Sequence, residues 1–113
     1  MHCFSGDAAF AARCAAVGFI ASFSGIVTFP RAEGIQDAAR TVAADEFVVE
    51  TDSPFLSPAP ERGKPNLPER VAITAAAVAR LRDEPVETVR AMTTRTAHRV
   101  LALGAPAAPS TRA

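Results

Sequence analysis

The sequence predicts an α/β fold in which parallel strands alternate with crossover helices. Two short runs rich in apolar and β-branched residues, 19–23 and 47–51, read as strands. The stretches between and after them carry apolar residues at helical spacing. Strand and helix in strict alternation build a parallel sheet, because only a crossover helix returns the chain to the same edge.

Taken in order, residues 1–4 are short and apolar and run into Ser5-Gly6-Asp7, the way a strand ends and a capped helix begins. A first helix is expected over 7–17, with Phe10, Cys14 and Val17 on one face and Gly18 as its stop. The strand 19–23 alternates Phe19, Ala21 and Phe23 against Ile20 and Ser22, and a loop follows over 26–30. Ile35, Ala38, Ala39 and Val42 predict a second helix over 32–43. The strand 47–51 stops at Asp52-Ser53-Pro54, and a proline-rich structured loop occupies 53–68. Asn66 and Glu69 have the spacing of a capping pair for a third helix over 67–82, whose face carries Val71, Ala75, Val78 and Leu81. Asp83-Glu84-Pro85 breaks it, and a fourth helical stretch over 85–102 places Val86, Val89 and Met92 inward, with Thr93-Thr94 as a point where the chain could be recapped. Residues 1–103 read as one partial domain and 104–113, made of Gly, Ala, Pro, Ser, Thr and Arg, as a disordered tail. Two strands and a strand end are too few to close a barrel.

Composition narrows the function classes. The 113 residues are 49% hydrophobic and 21% charged, ordinary values for a globular chain. Twelve basic and twelve acidic residues leave no net field to attract a membrane surface or nucleic acid as a whole, and Lys64 is the only lysine. Cys3 and Cys14 are too few for a disulfide framework or a thiolate metal site and read as small core residues. No apolar run is long enough to span a membrane and the first residues lack the pattern of a signal peptide, so a cytoplasmic protein without membrane partners is expected.

Four residues are candidates for chemistry. His2 stands at the C-terminal end of a strand, where parallel α/β folds keep their sites; a solvated structural histidine is the alternative. Period two puts Glu50 and Asp52 on one face of their strand, an arrangement that needs pairing, protonation or a cation, although Asp52 before Ser53-Pro54 also suits a turn cap. Arg62, in Arg62-Gly63-Lys64, suits a phosphate and equally a solvated basic turn. His98 in the last helix reads as a surface residue.

In combination these segments are more specific. His2-Cys3-Phe4-Ser5-Gly6, Ser22-Phe23-Ser24-Gly25-Ile26-Val27-Thr28-Phe29, Glu50-Thr51-Asp52-Ser53-Pro54-Phe55-Leu56 and Pro60-Glu61-Arg62-Gly63-Lys64-Pro65-Asn66 resemble the TatD family in that order, as does the late pair Thr93-Thr94. Thr96-Ala97 departs from the Asn-Ala step usual there. The resemblance implies the C-terminal portion of a TIM (β/α)8 barrel and a metal-dependent hydrolase, often a deoxyribonuclease, acting on DNA or another phosphodiester. It implies divalent metal ions (Mg, Mn or Zn, two in the complete barrel). It makes His2 the last metal-binding histidine and Asp52 the metal-binding and catalytic aspartate of the last strand. Glu50 becomes a buried group behind the ligands, and Arg62 a residue at the mouth that meets substrate phosphate. The family's earlier ligands, a His-x-His pair, a mid-barrel Glu and one further His, are not among these residues. The expectation is therefore a chain that continues upstream, inactive by itself and prone to self-association; the alternative is a free-standing half-barrel serving as a binding or assembly module.

Overall fold

The structure is a computed structural model and describes residues 1–104. The expected tail therefore lies, Gly104 apart, outside the described residues. Helix α1 (Ala8–Ala16) starts on Asp7, whose carboxylate accepts the Phe10 N–H at 2.8 Å. It ends on Gly18 at φ 89°, with Gly18 N–H to Ala15 O and Phe19 N–H to Cys14 O both at 3.0 Å, the paired bonds of a Schellman stop. This stop takes Phe19 out of the expected strand: β1 is Ala21–Phe23, and Phe19 is 57% exposed. Where a loop was expected, a 3-10 turn (Gly25–Thr28) follows, with the Ser24 hydroxyl accepting Ile26 N–H. Helix α2 (Glu33–Thr41) leads to β2 (Phe47–Val49), which pairs parallel with β1 in the register Ala21↔Phe47, Ser22↔Val48, Phe23↔Val49. A 3-10 turn (Pro68–Arg70) runs into α3 (Val71–Arg82), and α4 (Val86–Val100) closes the order.

Two local expectations are corrected. Asn66 caps no helix with Glu69; neither the 3-10 turn nor α3 has a side-chain cap, and Asn66 is spent inside the loop, as described below. The Thr93-Thr94 pair does not restart the chain. Thr93 and Thr96 donate their hydroxyls to the carbonyls of Val89 and Met92 at 2.9 and 3.0 Å, so the helix runs through.

The N-terminal segment lies beside β1 as a third, irregular strand. Ser22 N–H donates to Met1 O at 3.0 Å, and Phe4 N–H donates to Ser22 O at 2.9 Å. A regular parallel ladder would use Cys3 N–H for the second bond. The pairing therefore contains one extra residue, a bulge, with Cys3 at φ 50°. Across these three strands Phe4, Phe23 and Phe47 form a row, Phe4 edge-on to Phe23 and Phe23 tilted against Phe47, with ring centroids 5.7 and 5.9 Å apart and all three side chains sealed from solvent. Burying each such ring contributes roughly 1.5–3 kcal/mol, so the aromatic row anchors the sheet to its helices. On the helical side α3 buries Thr74, Ala75, Ala77, Val78 and Ala79, a wider face than the predicted stripe. Arg82 reaches from its last turn to the carbonyls of Ala39 and Val42 at 3.0 and 2.6 Å, satisfying the end of α2.

Candidate metal centre

The bulge and the end of β2 together make the site. Because Phe4 takes the ladder bond, the Cys3 N–H is free, and it donates to Glu50 Oε2 at 3.0 Å. Glu50 itself continues the sheet by one bond, its N–H donating to Phe23 O at 2.9 Å, so its carboxylate is held at the strand's C-terminal edge. Two residues on, Asp52 adopts φ 59°, a left-handed conformation that turns the chain out of the sheet.

The imidazole of His2 stands between the two carboxylates. Its Nδ1 is 2.7 Å from Glu50 Oε1 and its Nε2 is 3.2 Å from Asp52 Oδ1. Ligand atoms of His2, Glu50 and Asp52 all lie within 4.8 Å of one another. His2 and Asp52 are thus at the same end of the sheet, as expected from their places after parallel strands. Glu50 is the more enclosed carboxylate, with 16% of its side chain exposed against 26% for Asp52 and 70% for His2.

This donor set fits a hard divalent cation. A neutral imidazole carries one N–H and one lone pair, so it can donate to only one of its two carboxylate neighbours. Glu50 Oε1 is buried and makes no hydrogen bond, although His2 Nδ1 lies 2.7 Å away. An orphaned buried carboxylate oxygen beside a second carboxylate and an imidazole lone pair is the kind of environment a cation neutralises.

Arg62 is outside this cluster. It is exposed, and its guanidinium carbon lies 3.9 Å from the centroid of the Phe29 ring. Both residues belong to connections that leave the C-terminal ends of the strands, Phe29 after β1 and Arg62 after β2. His98 is half-buried rather than free, its Nδ1 2.8 Å from Gly104 O. Cys14 is buried, as expected of a core filler; Cys3 is only partly so, with its Sγ 3.9 Å from the Ser24 hydroxyl.

Two contributors escaped the sequence reading. One is the main chain of Cys3, whose left-handed bulge has no glycine to announce it. The other is Asn66, 3% exposed. Its side-chain amide donates to Thr51 O at 2.7 Å and Phe55 O at 2.8 Å, its Oδ1 accepts Leu67 N–H at 2.9 Å, and its own N–H donates to Pro54 O at 2.9 Å. These bonds clasp the loop on both sides of Asp52. The Pro65-Asn66 step in a proline-rich loop is a signal of a structured turn, but nothing in it separates a clasp from a cap.

The chain is similar to several known proteins. The "Uncharacterized metal-dependent hydrolase YcfH" of Escherichia coli (strain K12) is 48% identical over 94 residues, covering 83% of this chain and 36% of YcfH. The "Uncharacterized metal-dependent hydrolase YabD" of Bacillus subtilis (strain 168) is 39% identical over 100 residues, covering 88% of this chain and 39% of YabD. Among solved structures, the crystal structure of YjjV, a TatD homologue from Escherichia coli K12, superimposes with a TM-score of 0.81 at 28% identity, covering 87% of this chain and 38% of that one. The chain thus spans little more than a third of the length of the curated relatives it matches. A family profile described as "TatD related DNase" matches residues 1–102, every segment that builds the His2–Glu50–Asp52 cluster included, and the chain belongs to that family.

Proposed function

We propose that this chain is the C-terminal part of a (β/α)8-barrel metal-dependent hydrolase that cleaves phosphodiester bonds of DNA. The observation that carries the reading is the imidazole of His2 set between Glu50 and Asp52 at the C-terminal ends of parallel strands, where barrel enzymes hold their sites. The family's metal dependence supports it, and the relatives' length supports a barrel completed by further strands.

In this reading His2 and Asp52 are the metal ligands that this chain supplies. A divalent cation bound there supplies Lewis-acid charge for the phosphoryl oxygens and lowers the pKa of a water to the neutral range. Asp52 is the carboxylate of this chain that would orient an attacking water and accept its proton. Glu50 stands beside the Nδ1 edge of His2, which leaves Nε2 facing Asp52, and is itself held by the Cys3 N–H. Arg62, on the neighbouring connection, meets the substrate at the mouth of the site.

The test is cleavage of single-stranded DNA by the chain extended upstream in its own reading frame, with magnesium or manganese and then chelator. Chelator-sensitive cleavage that disappears in both His2→Ala and Asp52→Asn supports the assignment. Metal-dependent cleavage that survives either substitution sinks it.

A further inference from the structure

Beside Arg62 lies a concave site of about 290 Å³ lined by Ile26, Phe29, Arg31, Ala32, Ile35 and Arg62, with Pro30 at its edge. Every wall comes from the two connections that follow β1 and β2 and from the start of α2. Its floor is apolar, made by buried Ala32 and half-buried Ile26, Phe29 and Ile35, while two exposed guanidinium groups stand at the rim. No carboxylate lines it, and among the described residues neither Arg31 nor Arg62 is in an ion pair. The Arg62 guanidinium lies closer to its ring, at 3.9 Å, than the guanidinium groups of Arg13 and Arg82 do to theirs, at 5.5 and 4.9 Å.

We propose that this is a nucleobase subsite for single-stranded nucleic acid, in which one base lies against the apolar floor and the Arg62–Phe29 stack while Arg31 meets a flanking phosphate. A guanidinium held on an aromatic ring is fixed as a plane, and planes of this kind are what unpaired bases stack on. A site of this volume is at the small end of ligand pockets, the scale of one base rather than of a duplex. A chain of side-chain contacts links the pocket wall to the residue beside His2. The Cys3 Sγ, next to His2, is 3.9 Å from the Ser24 hydroxyl, and that hydroxyl accepts the N–H of Ile26 in the pocket wall. The inference rests on the phosphodiesterase reading for its substrate class, and it adds that the enzyme holds the base and not the backbone alone.

The test uses the full 113-residue chain in excess chelator, so that no metal takes part. The chain has neither Trp nor Tyr, which leaves the fluorescence of 2-aminopurine free of protein background. The probes are a single-stranded trinucleotide with 2-aminopurine at its centre and the same trinucleotide with an abasic centre. The base-bearing probe should bind about tenfold more tightly, the size of one stacking contact, with its emission quenched on binding. Arg62→Lys keeps the charge and removes the plane, so it should abolish the preference while leaving salt-sensitive binding of both probes. Phe29→Leu should act in the same direction; Arg62 is exposed, so the lysine variant reads cleanly even where Phe29→Leu fails to fold. Equal affinity for the two probes, no binding of either, or a preference that survives Arg62→Lys overturns the proposal. A preference lost in Phe55→Ala and kept in Arg62→Lys places the base on exposed Phe55 and overturns it too. Loss of the metal reading in the cleavage experiment would leave these results unchanged, so the two failures are distinguishable.

Discussion

Glu50 and Asp52 are two residues apart at one strand end, yet their surroundings differ. Glu50 accepts a main-chain N–H and lies against the inner nitrogen of His2, while Asp52 faces the outer nitrogen from the turn. If Glu50 acts only by orienting His2, Glu50→Gln in the extended chain should lower metal-dependent cleavage about 10–100-fold. Asp52→Asn, which removes a ligand and the proton acceptor together, should cost at least tenfold more. Equal or reversed losses of kcat would show the two roles interchanged. Asn66 acts on Asp52 from a distance, through the carbonyls of Thr51 and Phe55. Asn66→Ala leaves both without their donor and should destabilise the chain by about 2–3 kcal/mol. Urea denaturation checks this; a change below about 0.5 kcal/mol, the scatter of ordinary surface substitutions, would show that the loop holds itself.

The connections after β1 and β2 depend on one close approach. A Cβ at Gly25 would sit 2.3 Å from Leu56 O and 3.0 Å from the Pro58 nitrogen, both main-chain atoms that cannot swing aside. Gly25→Ala should therefore cost about 1–3 kcal/mol as an overpacked site and push the two loops apart. A denaturation midpoint equal to that of the parent would refute the close packing of these loops. The second connection also carries an ion pair that acts on a carboxyl group. Lys64 holds the Glu61 carboxyl below its ordinary value of 4.5, through a hydrogen bond at 2.9 Å and then through its charge, with Arg70 adding to the effect. A carboxyl depressed in the folded state favours folding at pH values above its unfolded pKa, and the contribution is lost as pH falls through the depressed value. Glu61 and Lys64 both reach solvent, with 31% and 66% of their side chains exposed, so the effect should be small and fade with salt. NMR titration should show the Glu61 pKa rising toward 4.5 in Lys64→Met; an unchanged value would mean that Lys64 does not hold it.

At the scale of the whole molecule, the described chain presents apolar side chains that a finished core would be expected to cover. Val17, Phe19, Phe55, Leu101 and Leu103 are each at least 57% exposed, and the sheet of β1 and β2 has no regular partner on its outer edges. Purified alone, the 113-residue chain should associate, with a light-scattering mass above 11.8 kDa that rises with concentration. It should also lack chelator-sensitive nuclease activity, because two protein ligands leave a divalent ion largely hydrated. A monodisperse monomer would contradict the first expectation. Chelator-sensitive cleavage lost in Asp52→Asn would contradict the second and make the chain an enzyme by itself, its ligand set completed by a second copy. Among the described residues no helix is long and apolar enough to cross a membrane.

The alternation of strands and helices, the Gly18 stop, the Asp7 cap and the placing of His2 and Asp52 at one end were legible in the residues alone. Each depends on local chemistry: spacing of apolar side chains, a glycine at positive φ, an acceptor beside free N–H groups, and the rule that parallel strands share an end. The family was legible because four motifs occur in order, which no single histidine or carboxylate could show. What only the tertiary structure decided involves groups far apart in sequence. The bulge at Cys3 follows from which N–H bonds to Ser22, and its consequence, a donor for Glu50, spans 47 residues. Asn66 became a clasp instead of a cap because the carbonyls of Thr51 and Phe55 lay within reach of its amide, 15 and 11 residues back. Phe19 fell outside the strand because its N–H closed the helix before it, and Arg62 found the Phe29 ring only once two strands had paired. A polar group satisfies whichever partner the fold brings nearest, and that partner is not written beside it in the chain.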